Sequence, residues 1–239
     1  TAMFYDYFAF TQDGELLPEM FELLAEAARY ITKTVVEDEE GHLLVHNCES
    51  PEQYHGGSLY FTNGTTYAQS LIYENNYNLL RLAESMGVDI NDIESSDLSA
   101  NDKAILKRVI EQTDKYDPIK IGLSGQVKEF REETTYGSIG AAQYVHISQL
   151  VGLYPGTVIN SQTPAWQDAS LVSLRGRGDS TEGWGYAHRI NAYARLGEGD
   201  YAHRMINNII RDSIGNNLWS HYFVYQIDGN GGFTAGVSE

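Results

Sequence analysis

Along most of this chain the apolar residues recur three and four positions apart, the repeat that lays a stripe on one face of a helix. Leu16, Met20, Leu23, Leu24, Ala27, Ala28, Ile31 and Val35 predict one long amphipathic helix from Leu16 to Val36. Pro18 lies in its first turn, where a missing N–H costs nothing. A second long helix is expected from Thr66 to Met86, closed by Gly87. A third runs from about Asn101 to Thr113, with Ser99 or Asn101 as its cap and Asp117-Pro118 as a stop. Pro164 opens a shorter helix to Leu174, and Glu182–Leu196 and Gly199–Ile214 form a pair joined by Gly197-Glu198-Gly199. The chain opens inside a helix, and Thr234 to Glu239 begin another.

Period-two segments are few. Gly41 to His46 reads as one hairpin arm and Val224 to Ile227 as another, with Asp228-Gly229 as a turn. The acidic run Glu37-Asp38-Glu39-Glu40 reads as a solvated helix end, although its charge opposes the helix dipole there. There is no fixed-period repeat and no Pro/Gly/Ser linker, so the reading is one domain. Antiparallel helix pairs with short connections predict an all-α toroid or bundle.

Composition narrows the partners. The 239 residues are 42% apolar, enough for a real core, and carry a formal net charge of -17. So acidic a surface repels nucleic acid and anionic membranes and suits a neutral substrate. The 17 Tyr, 8 Phe and 3 Trp fill cores, but their flat faces also stack on sugar rings. Cys48 is the only cysteine, which excludes an intrachain disulfide and a cysteine-based zinc site. That fits a cytoplasm, and equally a bacterial protein exported without disulfides. No stretch is apolar enough to span a bilayer, and Thr1-Ala2-Met3-Phe4 does not read as a signal peptide. Gly176-Arg177-Gly178 and Gly229-Asn230-Gly231-Gly232 lack the lysine and context of a phosphate loop and read as turns. His42 and His46 sit on a strand without a carboxylate pattern, and His146 has no second histidine at a metal-binding offset. No metal and no cofactor are expected.

Four segments carry candidate chemistry and read as loops between helices, where function usually lies. They are Asn47–Gln53, His146–Gly156, Glu182–Arg189 and Tyr225–Asn230. Glu52 follows Pro51, which fixes the backbone before it, and Gly56-Gly57 implies a tight path after it. It reads either as a solvated glutamate or as a general acid, since glycosidic cleavage needs a carboxylic acid to protonate the leaving oxygen. Asp228 reads either as a turn residue or as a carboxylate that orients water, with Asn230 beside it to hold a hydroxyl. His146, just ahead of Ser148 on a short helix, reads as a hydrogen-bonded structural group or as a ligand contact.

Taken in order, these segments resemble glycoside hydrolase family 95, the inverting α-L-fucosidases. Ser50-Pro51-Glu52 resembles the segment carrying that family's general acid, and Thr65–Ile72 the start of the helix after it, with Ala68 where an aspartate is common. Ile121–Phe130 resembles a Gly-Gln-Leu-Gln-Glu-Trp stretch, and His146–Gly156 a histidine motif ending in Gly-Leu-Tyr-Pro-Gly. Gly183-Trp184 through Leu196 and Tyr225–Gly229 resemble two further motifs. The resemblance implies an (α/α)6 barrel preceded by a β-rich domain. By resemblance Glu52 is the proton donor, Asp228 activates water together with asparagines that lie upstream in the family, and His146 contacts the cleaved sugar. Trp184, His221 and Asn230 complete the expected substrate-binding set.

Departures qualify the resemblance. The asparagine motif has no match, and fewer helices are visible than six pairs require. The chain is therefore expected to be part of one barrel domain, with the β-rich domain and the first barrel helices outside it. Tyr144, Val145 and Gln149 stand where the family commonly has His, Arg and His, and Gly231-Gly232 alters the loop after Asp228. The implied activity is inverting removal of a terminal α-linked L-fucose, or a related sugar such as L-galactose, from an oligosaccharide or glycoconjugate. It calls for a partly desolvated Glu52 roughly 6.5–9.5 Å from its basic partner. The rival readings are a degenerate member that binds glycans without cleaving them, and a helical-toroid lyase or phosphorylase. By resemblance the setting is extracellular, periplasmic or at the cell surface of a bacterium. Oligomeric state is left open.

Overall fold

The computed structural model describes residues 2–239. It divides into two compact units, one made of residues up to Cys48 with Thr62–Gly64 and Ala68–Pro118, the other of Glu49–Phe61, Thr65–Tyr67 and Ile119–Glu239.

The first unit holds α1 (Ala2–Thr11), α2 (Leu17–Ile31), the hairpin β1 (Val35–Glu37) with β2 (Leu43–Val45), and α4 (Ala100–Thr113). Most of α3 (Thr66–Ser85) belongs to it as well; before that helix the hairpin β3 (Cys48–His55) with β4 (Ser58–Thr62) runs almost wholly in the second unit. The apolar stripe of α2 buries Leu24, Ala25 and Ala28 against Leu79, Leu82 and Ala83 of α3 and Leu106 and Val109 of α4. Each fully buried leucine contributes roughly 1.5–3 kcal/mol. The Ser99 hydroxyl accepts the Asp102 N–H and caps α4, as expected.

The long helix expected to reach Val36 stops at Ile31. Thr32 and Thr34 turn their hydroxyls onto the carbonyls of Ala28 and Ile31, and the β-branched Val35 and Val36 join a strand, pairing with Val45 and Leu44. The acidic run is accordingly not a helix end. Glu37 closes β1, and Asp38 Oδ1 accepts the N–H groups of Glu40 (3.0 Å) and His42 (2.8 Å) to set the turn into β2.

The second unit is built on α5 (Pro164–Arg177), α6 (Gly183–Arg195), α7 (Gly199–Asp212) and α8 (Ile227–Ser238), with the short hairpin β5 (His221–Tyr222) and β6 (Val224–Tyr225) before α8. Its core gathers Leu150, Leu153, Leu174, Ile190, Tyr193, Met205 and Ile209. The 118–163 stretch is largely irregular, with a 3-10 turn at Ser148–Leu150. His146 lies just before that turn rather than on a helix. The Pro51–Glu52 and Tyr154–Pro155 peptides are cis.

Asp228-Gly229 is not a hairpin turn but the first turn of α8, which runs through the glycines and takes in Thr234 to Ser238, where a helix had been expected to begin. Gly232 and Gly236 serve close packing. A Cβ at Gly236 would lie 2.5 Å from Ile190 Cγ2, and one at Gly232 2.9 Å from Ala187 Cβ, both on α6. Gly176 and Arg177 likewise finish α5 instead of forming a turn, and Gly178 ends it at a φ of 83°. Among the described residues no helix is long and apolar enough to cross a membrane.

Candidate active site

The segment around Glu52 is strand, not loop. Gly56 and Gly57, at φ of 63° and 90°, make the turn of the β3–β4 hairpin. Ser50 and Gln53 face inward and are buried, and Glu52 faces out. It opens onto a concavity of about 670 Å³, whose walls include Tyr144, His146, Trp184, Tyr222 and Phe223. Three residues expected in the site, Glu52, His146 and Trp184, thus share one depression.

His146 is the central side chain. Its Nε2 lies 4.0 Å from Glu52 Oε2. Its ring packs at 4.6 Å from Trp184 and 5.1 Å from Tyr144, centroid to centroid. Burial holds the imidazole below its ordinary value, with the Glu52 carboxylate opposing and the more distant Arg177 and Arg189 adding to the depression. His146 is therefore neutral at pH 7 and offers one donor and one acceptor nitrogen. The Glu52 side chain is 66% exposed, so the partial desolvation expected of a proton donor is not provided by these residues. Glu52 meets the open concavity, not packed side chains.

The remaining expected site residues fall elsewhere. Asp228 is exposed in the first turn of α8, and its Oδ1 accepts the Gly229 N–H at 3.0 Å. Asn230 spends its amide on the backbone, accepting from Ser220 N at 2.7 Å and donating to Leu218 O at 2.9 Å. His221 is exposed on β5. None of the three lines the concavity.

Behind the concavity lies a buried polar layer that the sequence reading did not single out. Glu129 pairs with Arg177 at 2.8 Å and accepts from Ser50 Oγ (2.7 Å) and Gln53 Nε2 (3.1 Å). Arg177 also donates to Ala141 O (2.6 Å) and Gln149 Oε1 (3.1 Å). Glu133 accepts the N–H groups of Glu129 and Gly137, and its burial raises its carboxyl above the ordinary range. Arg189, fully buried, donates to the carbonyls of Tyr144, Val145, Gly178 and Gly185, and burial lowers it to about 10. It thereby holds the backbone immediately before His146.

The glycosyl hydrolase family 95 catalytic domain matches residues 1–239. The chain belongs to glycoside hydrolase family 95. It is 24% identical to Alpha-L-fucosidase 2 of Arabidopsis thaliana over 98% of its own length and 28% of that protein's. A probable alpha-fucosidase A of Aspergillus niger is 29% identical over 98% of this chain and 29% of its own length. The corresponding protein of Aspergillus oryzae is 30% identical over 92% and 31%. The chain thus spans less than a third of the length of these curated relatives. Its mostly helical fold with short antiparallel hairpins agrees with part of a family 95 (α/α)6 barrel.

In this family 95 chain the inner layer left partial traces in the sequence. Glu129 lies in the Ile121–Phe130 stretch that resembles a family motif, yet nothing in that pattern gave the carboxylate a role. Arg177 was hidden between two glycines read as a turn. A different surprise lies in the other unit. Ligand atoms of Asp38, Glu40 and His42 fall within 4.8 Å of one another, so His42 does have carboxylate neighbours that its offset from His46 did not reveal.

Proposed function

We propose that this chain supplies the proton-donor side of a glycosidase that removes a terminal α-linked L-fucose, or a related sugar such as L-galactose, with inversion. The observation that carries the reading is Glu52 opening onto the same concavity as His146 and Trp184. Trp184 and Tyr144 offer faces for a pyranose ring. Neutral His146 takes a hydrogen bond from, or gives one to, a sugar hydroxyl. Glu52 transfers its proton to the glycosidic oxygen as the anomeric C–O bond breaks. A water on the opposite face forms the new bond and gives up its proton to a base. In this reading Asp228 orients that water together with asparagines from outside the chain, and the remainder of the protein desolvates Glu52. The relatives' printed names point to the same sugar. An extracellular or periplasmic bacterial setting belongs to the same proposal.

The test is Glu52→Gln in the natural full-length protein. Turnover of fucosylated oligosaccharides should vanish while binding persists, and NMR of the first product of the unaltered enzyme should show inverted anomeric configuration. Normal turnover by the variant, or a retained configuration, would refute the respective part.

A second reading is favoured by one observation, the placement of Asp228 and Asn230 outside the concavity. It is glycan binding without cleavage. Calorimetric binding of a fucosylated oligosaccharide by the unaltered protein with no product released would select it.

A further inference from the structure

We propose that Glu129 is a positioning residue for the proton donor: anchored by Arg177, its carboxylate grips β3 on both sides of Glu52 and sets where the Glu52 carboxyl stands. The inference rests on the reading of Glu52 as the acid.

The geometry is a bracket. Glu129 Oε1 accepts the hydroxyl of Ser50, and Oε2 accepts the side-chain amide of Gln53. Pro51 and Glu52 lie between these two contacts. The Pro51 carbonyl takes a third bond, from the Ser148 hydroxyl, on the segment that carries His146. Gln53 Oε1 accepts the Ala141 N–H at 2.9 Å, and Arg177 ties Ala141 O and Gln149 back to Glu129. The Glu129–Arg177 pair therefore connects the strand bearing Glu52, the segment bearing His146 and α5.

All four members are buried: Ser50 at 0%, Gln53 at 1%, Arg177 at 2% and Glu129 at 4% exposure. Stability alone is a poor reason for such a group, because burying a charge pair costs about as much desolvation as its attraction returns. What the pair does supply is direction. A carboxylate has lone pairs for several donors at once, and three donors, two on β3 and one on α5, hold this one in place. Its own backbone is fixed in turn, by the bond from Glu129 N to Glu133 Oε2. Glu52, exposed on the outer face of β3, has no comparable packing to hold it, so its position follows from the strand beneath it.

The experiment compares two leaving groups in the natural full-length protein. A sugar alkoxide needs a proton to depart, whereas a dinitrophenolate leaves without one. For Glu129→Gln, misplacing the acid should lower kcat on the natural glycan about 10²-fold, with KM changed less than about threefold. Hydrolysis of the dinitrophenyl glycoside should fall less than about threefold, because acid catalysis contributes little there. Ser50→Ala leaves the ion pair intact and should show the same selectivity at about tenfold. That variant carries the test if Glu129→Gln does not fold. Equal losses on both substrates, or no loss on either in a folded variant, would overturn the proposal. Glu52→Gln assayed on the same pair separates the two readings. If it too loses both activities equally, Glu52 is not the acid, and the fault lies in that reading and not in the bracket.

Discussion

Nε2 of His146 lies 4.0 Å from Oε2 of Glu52, and the imidazole is half-buried while the carboxylate is open to solvent. Burial and charge act on the histidine in opposite senses, and burial prevails. An NMR titration should place the His146 imidazole below its ordinary 6.5. Glu52→Gln removes the opposing charge and should move it lower still. An upward move in that variant would mean that the two groups do not face each other in solution.

Arg189 donates to four backbone carbonyls at 2.9–3.2 Å and to Thr181 Oγ1 at 3.2 Å. Arg189→Met would strand several of those carbonyls, each at a cost of about 1–3 kcal/mol when buried and unpaired. The expected total exceeds about 3 kcal/mol and should appear in chemical denaturation. Because two of the carbonyls belong to Tyr144 and Val145, glycan affinity measured by calorimetry should weaken too. Arg189→Lys, which keeps the charge but not the fork, should fall between the two.

Two glycines of α8 make an internal control. A Cβ at Gly236 meets Ile190 and Asn191 at 2.5–3.1 Å, whereas one at Gly231 meets nothing within 4 Å. Gly236→Ala is expected to destabilise by about 1–3 kcal/mol through overpacking against α6. Gly231→Ala should be neutral or stabilise by about 0.4–1 kcal/mol, since alanine has less chain entropy to lose in a helix. Thermal melts of the pair check both signs at once.

The same helix shows where the sequence was legible and where it was not. Regular apolar stripes placed α3, α4, α6 and α7 to within a few residues, because burying such a stripe is what makes those helices stable. Glycine and aspartate at 228–232 read as a turn, because local propensity favours one. The structure overrides it since only glycine lets α8 approach α6 so closely. Val35 and Val36 fitted the helical period of α2 equally well as its last turn, and pairing with β2 decided against it. At the candidate site, residue type and resemblance were enough to single out Glu52, His146 and Trp184. The buried layer under them was not legible, because Glu129, Arg177 and Arg189 are charged residues whose burial depends on partners far away in sequence. Nor did spacing show that Asn230 would be consumed by the backbone of 218–220.

His188 yields a pH prediction with a definite sign. It sits on α6 with Nε2 3.1 Å from Tyr154 O, and burial lowers its imidazole from 6.5 to about 4. The folded state therefore resists a proton that the unfolded chain accepts readily. Above pH 6.5 neither state is protonated and the full stability is present; between 6.5 and 4 the unfolded state binds the proton first, and stability falls as pH falls. His188→Gln keeps a donor for Tyr154 O but cannot titrate. Denaturation midpoints of the unaltered protein should drop across that window more steeply than those of the variant. Parallel curves would show that His188 carries its proton equally in both states, contrary to its burial against the Tyr154 carbonyl.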